Sequence, residues 1–168
     1  LPICMYPEAH IVAVEPDAEN MRICRMNAEA GAHLNRPTFV EACAGGTERK
    51  VSLDRTGGNW AYRMTDSQQG SETIQVVTMK KIIDDHFDGT SVDLCKCDIE
   101  GAEQEVFAHC GGWIRLLKHL FVEIHPPYSS GQLVADIRRA GGMPETMPVS
   151  ETKSGNLMFL RLRGEGKG

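Results

Sequence analysis

The chain has 168 residues, of which 41% are hydrophobic and 24% charged, and its 18 Lys and Arg against 23 Asp and Glu leave a formal net charge of −5. That is enough apolar content to enclose a core, and the acidic balance, with no lysine or arginine run, argues against a nucleic-acid partner or an anionic membrane surface. No apolar stretch approaches the roughly 18 residues of a transmembrane helix and no basic-then-apolar signal opens the chain, so a cytoplasmic protein without a membrane partner is expected.

Leu1 to Pro7 is too short to form an element with its own partner, and Tyr6-Pro7-Glu8-Ala9 reads as the exit of a helix begun earlier, so the chain is expected to start in mid-fold. His10 to Glu15 is β-branched and continuous, a strand expected to be buried on both faces. Pro16 ends it, and Asp17 is a good cap for a helix to about Ala30, with Met21, Cys24 and Ala28 on one side and Gly31 as the stop. Glu15 thus stands at the end of a strand that feeds a helix. An acid there can accept hydrogen bonds from both hydroxyls of a ribose, or can simply be a solvated strand end.

Thr38 to Cys43 reads as the next strand, with Ala44-Gly45-Gly46 as a tight turn where a flat ligand could approach the backbone. Lys50 to Leu53 and Trp60 to Met64 flank the polar loop Asp54 to Asn59 in hairpin fashion; Trp60 and Tyr62 could line a pocket, although packing is the simpler role. Thr73 to Thr78 alternates as a strand does, Lys80 to His86 is a short helix, and Asp88-Gly89 turns the chain.

Val92 to Val106, VDLCKCDIEGAEQEV, is the most informative stretch. An apolar run of strand length is followed at once by Asp98, Glu100, Glu103 and Glu105, and Ala102, Val106 and Phe107 then recur at near-helical spacing. The acids therefore lie at the carboxyl end of a buried strand, the edge where open α/β sheets bind ligands. Glu103 and Glu105 also fall in a first helical turn, where acids oppose the helix dipole whatever the function. The helix runs to about His109, Trp113 to Leu117 is short and apolar, and His119 to Ile124 is another buried strand, followed by His125 and Pro126-Pro127, which stop its ladder. Ser129 or Ser130 caps a helix to Ala140 with Leu133, Val134, Ile137 and Ala140 on its inner face. An extended piece, Glu145 to Val149, and a strand, Asn156 to Arg163, close the chain as an antiparallel pair.

The six cysteines lie mostly in apolar segments without a disulfide rhythm, which makes reduced core thiols the expectation. Cys95-x-Cys97 places two sulfurs on one strand face, but zinc sites need four ligands and loop spacings, so no metal site is expected.

Strands alternating with helices predict an α/β fold, a mostly parallel sheet with a C-terminal antiparallel hairpin, in one domain over residues 1–168. Two blocks, Ile11-Val-Ala-Val-Glu-Pro-Asp-Ala-Glu-Asn20 with Cys24-Arg-Met-Asn27, and Lys96-Cys-Asp-Ile-Glu-Gly-Ala-Glu103 with Phe121-Val-Glu-Ile-His125, resemble the FkbM family of S-adenosylmethionine-dependent methyltransferases, whose fold is Rossmann-like. The resemblance implies methyl transfer from S-adenosyl-L-methionine to a hydroxyl oxygen of a small molecule or sugar. It implies that Glu15 holds the cofactor ribose, that Pro16 packs near the adenine and that Ala42, Cys43 and Ala44 wall the adenine pocket. Asp98 would face the methionine end of the cofactor and the acceptor, with Glu100, Glu123 and His125 around the mouth. Asp98, Glu100 and His125 are then the candidate catalytic residues, with His125 or Asp98 taking the hydroxyl proton.

Family members open with a strand and a glycine-rich turn of D-x-G-x-x-x-G type, and none precedes Ile11 here. The resemblance therefore implies an N-terminally incomplete domain lacking its first strand, with a gap between the strands that end at Glu15 and at Asp98. A degenerate, non-catalytic relative acting as a binding or interaction module is the alternative. A nicotinamide-dependent oxidoreductase is disfavoured, because no G-x-G-x-x-G is present and the acids near Asp98 have no part in hydride transfer.

Overall fold

The β-branched run near the start forms strand β1 (Ile11–Val14), and Asp17 caps helix α1 (Ala18–Ala30) by accepting from the backbone N–H groups of Glu19 and Asn20. The computed structural model describes residues 8–31, 37–54, 63–65, 73–147 and 156–163. β2 (Pro37–Val40) lies parallel to β1, with Ile11 opposite Pro37 and Val14 opposite Val40.

The strand expected from Thr38 to Cys43 divides. The chain bends at Ala42, and Cys43–Gly45 becomes β3 in a different sheet, so Ala44 and Gly45 extend a strand where a turn was expected. β3 pairs there with the strand that carries Val76, and a Cβ on Gly45 would stand 2.4 Å from Cγ1 of Val76, so only glycine lets the two strands approach this closely. This second sheet has the order β3, β6 (Thr73–Thr78), β4 (Arg49–Asp54), β5 (Arg63–Thr65). The predicted hairpin is its β4–β5 pair, with Ser52 opposite Thr65. Trp60, Tyr62 and the loop they follow lie outside the described residues.

Thr78 caps α2 (Met79–Phe87) through its hydroxyl, and the chain leaves that helix through Asp88 and Gly89, both with positive φ, as the Asp-Gly pair predicts. The third sheet comes next, in the order β7 (Val92–Cys97), β8 (Leu117–Glu123), β10 (Leu157–Arg163), β9 (Met143–Met147). β7 and β8 are parallel and joined through α3 (Glu103–Ala108) and two short 3₁₀ turns, Cys110–Gly112 and Ile114–Leu116, the second within the short apolar piece from Trp113 to Leu117. α4 (Ser130–Arg139), capped by Ser129, leads to β9, and β10 inserts between β8 and β9, antiparallel to both. Of the pairings among the described residues, β1–β2, β3–β6 and β7–β8 are parallel and the other four antiparallel. The α/β class is as expected, but the sheet content is mixed where a mostly parallel sheet was predicted, because the segment from Arg49 to Thr78 folds as a meander and β10 returns against β8.

The main core lies against the third sheet. Leu120, Val122 and Leu160 from the strands and Leu133, Ile137 and Ile114 from the covering elements have no exposed surface. A smaller core of Cys43, Val51, Leu53 and Val76 belongs to the second sheet. β1 and β7 depart from the expected full burial: β1 is half-buried throughout, and in β7 only Cys97 is buried while Leu94 is 49% exposed. The reason is topological. Among the described residues no ladder joins β1 to β7, and a cavity runs between their unpaired edges. Among these residues no helix is long and apolar enough to cross a membrane.

Candidate functional site

The cavity has a volume of about 800 Å³. Val12 and Val14 of β1 form one wall and Leu94, Lys96 and Cys97 of β7 the other, while Ile82 and Ile83 of α2 add apolar lining. At one end the chain leaves β1 through Glu15 and Pro16 and leaves β7 through Asp98, and both exits line the same space.

The start of α1 fixes Glu15 in that position. Its Oε1 accepts from the backbone N–H of Asp17 at 2.9 Å and from Nδ2 of Asn20 at 3.4 Å, which ties the strand end to the first turn of α1. Ala42, Cys43 and Ala44 border the cavity beside it. Cys43 is nearly fully buried, and burial, reinforced by the Glu15 charge and partly offset by Arg49, pushes its thiol pKa up to about 11. Burial thus favours the neutral thiol, which makes Cys43 a poor nucleophile and part of the apolar wall.

α3 is oriented from the second sheet. Glu105 accepts from Nη1 and Nη2 of Arg49 at 2.6 and 2.9 Å, one bond to each oxygen, and from the backbone N–H of Gly46 at 2.8 Å. The guanidinium holds the Glu105 carboxyl below its ordinary pKa, assisted by the Gly46 and Thr47 backbone, while burial works in the opposite sense. Beyond opposing the helix dipole, as its first-turn position predicts, Glu105 has a larger part: it clamps α3 against β3 and β4 at the cavity's edge.

At the carboxyl ends of β7 and β8 a second group forms. Glu100 has φ of 51° and Gly101 of 101°, so the chain reverses sharply between β7 and α3. The Glu100 side chain comes within 3.6 Å of His125, measured from Oε2 to Nε2. One donor atom each from Asp98, Glu100 and His125 lies within 4.8 Å of the other two. Asp98 and Glu100 also line the cavity; His125 does not.

Nδ1 of His125 is 2.9 Å from Oε1 of Glu103, whose side chain has no exposed surface. A carboxylate accepts, so Nδ1 donates and Nε2 is left toward Glu100. The same Oε1 accepts from the backbone N–H of Gly101 at 3.2 Å, while Oε2, also buried, has no hydrogen-bond partner among the described residues. Burial alone would lower the His125 pKa, but the Glu103 hydrogen bond and the charges of Glu103, Glu100 and Glu123 together outweigh it and raise the pKa above the ordinary value. The turn Tyr128 N–H to His125 C=O, with the Tyr128 hydroxyl donating to Asp136 at 2.7 Å, fixes the segment after the histidine to α4.

Every residue expected at the cofactor, Glu15, Pro16, Ala42, Cys43, Ala44 and Asp98, therefore borders one cavity, and the three expected catalytic residues come together, with Asp98 and Glu100 on its lining and His125 beside them. Glu103 is the residue whose part sequence reasoning missed. Its place was readable: Val106 and Phe107, three and four positions on, share its helix face and are buried with it, so the acid could not have been solvated.

The strand-end acids Glu15 and Asp98 of this α/β chain converge on one cleft, at the kind of sheet edge where ligands bind. The family model described as the methyltransferase FkbM domain matches residues 5–145, and the chain belongs to that family. A search of curated proteins returns no match.

Proposed function

We propose that the protein transfers the methyl group of S-adenosyl-L-methionine to a hydroxyl oxygen of a small molecule or sugar. The observation that supports this most directly is the meeting of Glu15, Ala42, Cys43, Ala44 and Asp98 around one cavity in a chain of the FkbM family. Glu15 takes the ribose hydroxyls, with one oxygen already fixed by Asp17 and the other open to a ligand. The small, buried Ala42 and Cys43 leave room for a flat ring, and Asp98 faces the methionine end. The cofactor, when bound, supplies the electrophilic methyl on sulfur. The chain's own part is to hold the acceptor oxygen in line with the carbon and sulfur, and positioning of that kind supplies much of the rate. As the new O–C bond forms and the C–S bond breaks, the hydroxyl proton leaves toward Asp98, Glu100 and His125, in which Glu103 keeps the imidazole aligned.

The test is incubation of the protein with S-adenosylmethionine carrying a deuterated methyl and pooled sugar and polyketide alcohols, followed by mass spectrometry. A labelled methyl ether, lost with Asp98→Asn, supports the reading. Label found only on nitrogen or sulfur acceptors contradicts it.

A further inference from the structure

We infer that Asp98, Glu100 and His125 form a binding site for a divalent transition-metal cation. The inference stands on the geometry of the side chains; its consequence for the acceptor rests on the methyl-transfer reading above.

Donor atoms bound to one ion at roughly 2.0–2.2 Å stand about 3 to 4.4 Å from one another. Nε2 of His125 and Oε2 of Glu100 are already 3.6 Å apart, and the three donor atoms span no more than 4.8 Å, so small side-chain rotations would bring them onto one ion. The second, independent observation is Glu103. A histidine that binds a metal through one ring nitrogen almost always donates its other N–H to a carboxylate or carbonyl, which fixes tautomer and ring plane. Glu103 does this from a fully buried position, its Oε1 on Nδ1 of His125, so the imidazole has Nε2 free to bind on the side of Glu100 and Asp98. Burying a carboxyl group with one oxygen unpartnered is costly and needs a return, which the orientation of a ligand would supply.

The charge balance points the same way. Glu100, Glu103 and Glu123 act on a single imidazole with Asp98 beside it, and Lys96 reaches Oδ2 of Asp98 at 2.9 Å from an exposed position. One nitrogen and two carboxylate oxygens suit Mn²⁺, Fe²⁺ or Zn²⁺ better than Ca²⁺ or Mg²⁺, and three protein ligands leave positions open. Asp98 and Glu100 border the cavity, so an open position could be reached from it. An acceptor with a hydroxyl, or two neighbouring hydroxyls, could complete the coordination, and its oxygen would then lose its proton more readily, to solvent water once the three side chains hold the ion.

The experiment is titration of the full chain with Mn²⁺, free Mn²⁺ being read by electron paramagnetic resonance, with S-adenosylhomocysteine binding measured separately on the same preparation. The expected result is one bound Mn²⁺ per chain, weakened at least tenfold by His125→Gln and by Asp98→Asn and tenfold to a hundredfold by Glu103→Gln. Asp93→Asn, at the other end of β7, should leave it unchanged. Thermal melts identify any variant that fails to fold; if His125→Gln does, Asp98→Asn decides. No Mn²⁺ binding, or binding that survives Asp98→Asn and His125→Gln, overturns the site, and S-adenosylhomocysteine binding in that same sample would show that the methyltransferase reading survives without it.

Discussion

Glu105→Gln tests how α3 is held. The carboxylate collects two bonds from Arg49 and one from Gly46, between 2.6 and 2.9 Å. Glutamine keeps one acceptor oxygen, so the Gly46 contact can persist, but its NH₂ group meets a guanidinium nitrogen where an oxygen had accepted. Hydrogen bonds to charged groups contribute about 1.5–3 kcal/mol each. The pair is 31% and 30% exposed, so solvent screening places the effect low in that range, at about 2 kcal/mol for the substitution. In a chain of this size that corresponds to a fall in Tm of about 4–8 °C. The pH dependence has a definite sign. Because the folded-state pKa of Glu105 is depressed, its contribution is fully present above the ordinary carboxylate pKa and is lost as pH falls through the folded value. Circular-dichroism melts of both proteins from pH 7 downward should therefore show a gap that is widest near neutrality and closes below about pH 4.5. A gap under 1 °C at pH 7, or one that stays constant into acid, would refute the clamp.

Leu160→Ala removes a side chain with no exposed surface from the strand between β8 and β9, and urea unfolding should report a loss of about 2–5 kcal/mol. Tyr128→Phe deletes the hydroxyl that donates to Asp136, at a cost of about 1 kcal/mol in the same assay. Thiol labelling with mass-spectrometric readout should modify exposed Cys24 in the native protein and spare Cys43 and Cys97 until denaturant is added, since burial raises both of the latter thiols' pKa values. Early labelling of Cys97 would mean that β7 opens toward the cavity more than its packing implies.

Local chemistry made much of this fold legible. Asp17, Thr78 and Ser129 cap helices where Ser, Thr and Asp precede apolar periodicity, or close to it, and the Asp88-Gly89 turn adopts the positive φ that such a pair favours. What was less legible depends on contacts far apart in the chain. The break at Ala42 sends Cys43–Gly45 into another sheet against β6, where Gly45 packs on Val76, a long-range pairing that no local pattern encodes. The exposure of Leu94 results from the unpaired edge of β7, although the same run of residues in a fully paired strand would be buried. At the site, the strand-end acids and His125 were readable one by one, because ligand chemistry gathers at the carboxyl ends of strands. Their grouping was not: Glu100 meets His125 across the whole β7-to-β8 crossover, through a left-handed turn and a buried Glu103 that looked like an ordinary first-turn acid. Spacing rules for metal sites assume ligands close in sequence, so they pass over this set.

The most direct measurement of the central claim is calorimetric titration of this chain with S-adenosylhomocysteine, repeated on Glu15→Ala. Loss of hydrogen bonds from both ribose hydroxyls to a charged acceptor is expected to weaken binding by about a hundredfold or more, with the fold retained by circular dichroism. Saturable binding that falls by this much on Glu15→Ala is what the account predicts. Absence of binding to the folded chain, or binding indifferent to Glu15, would contradict it.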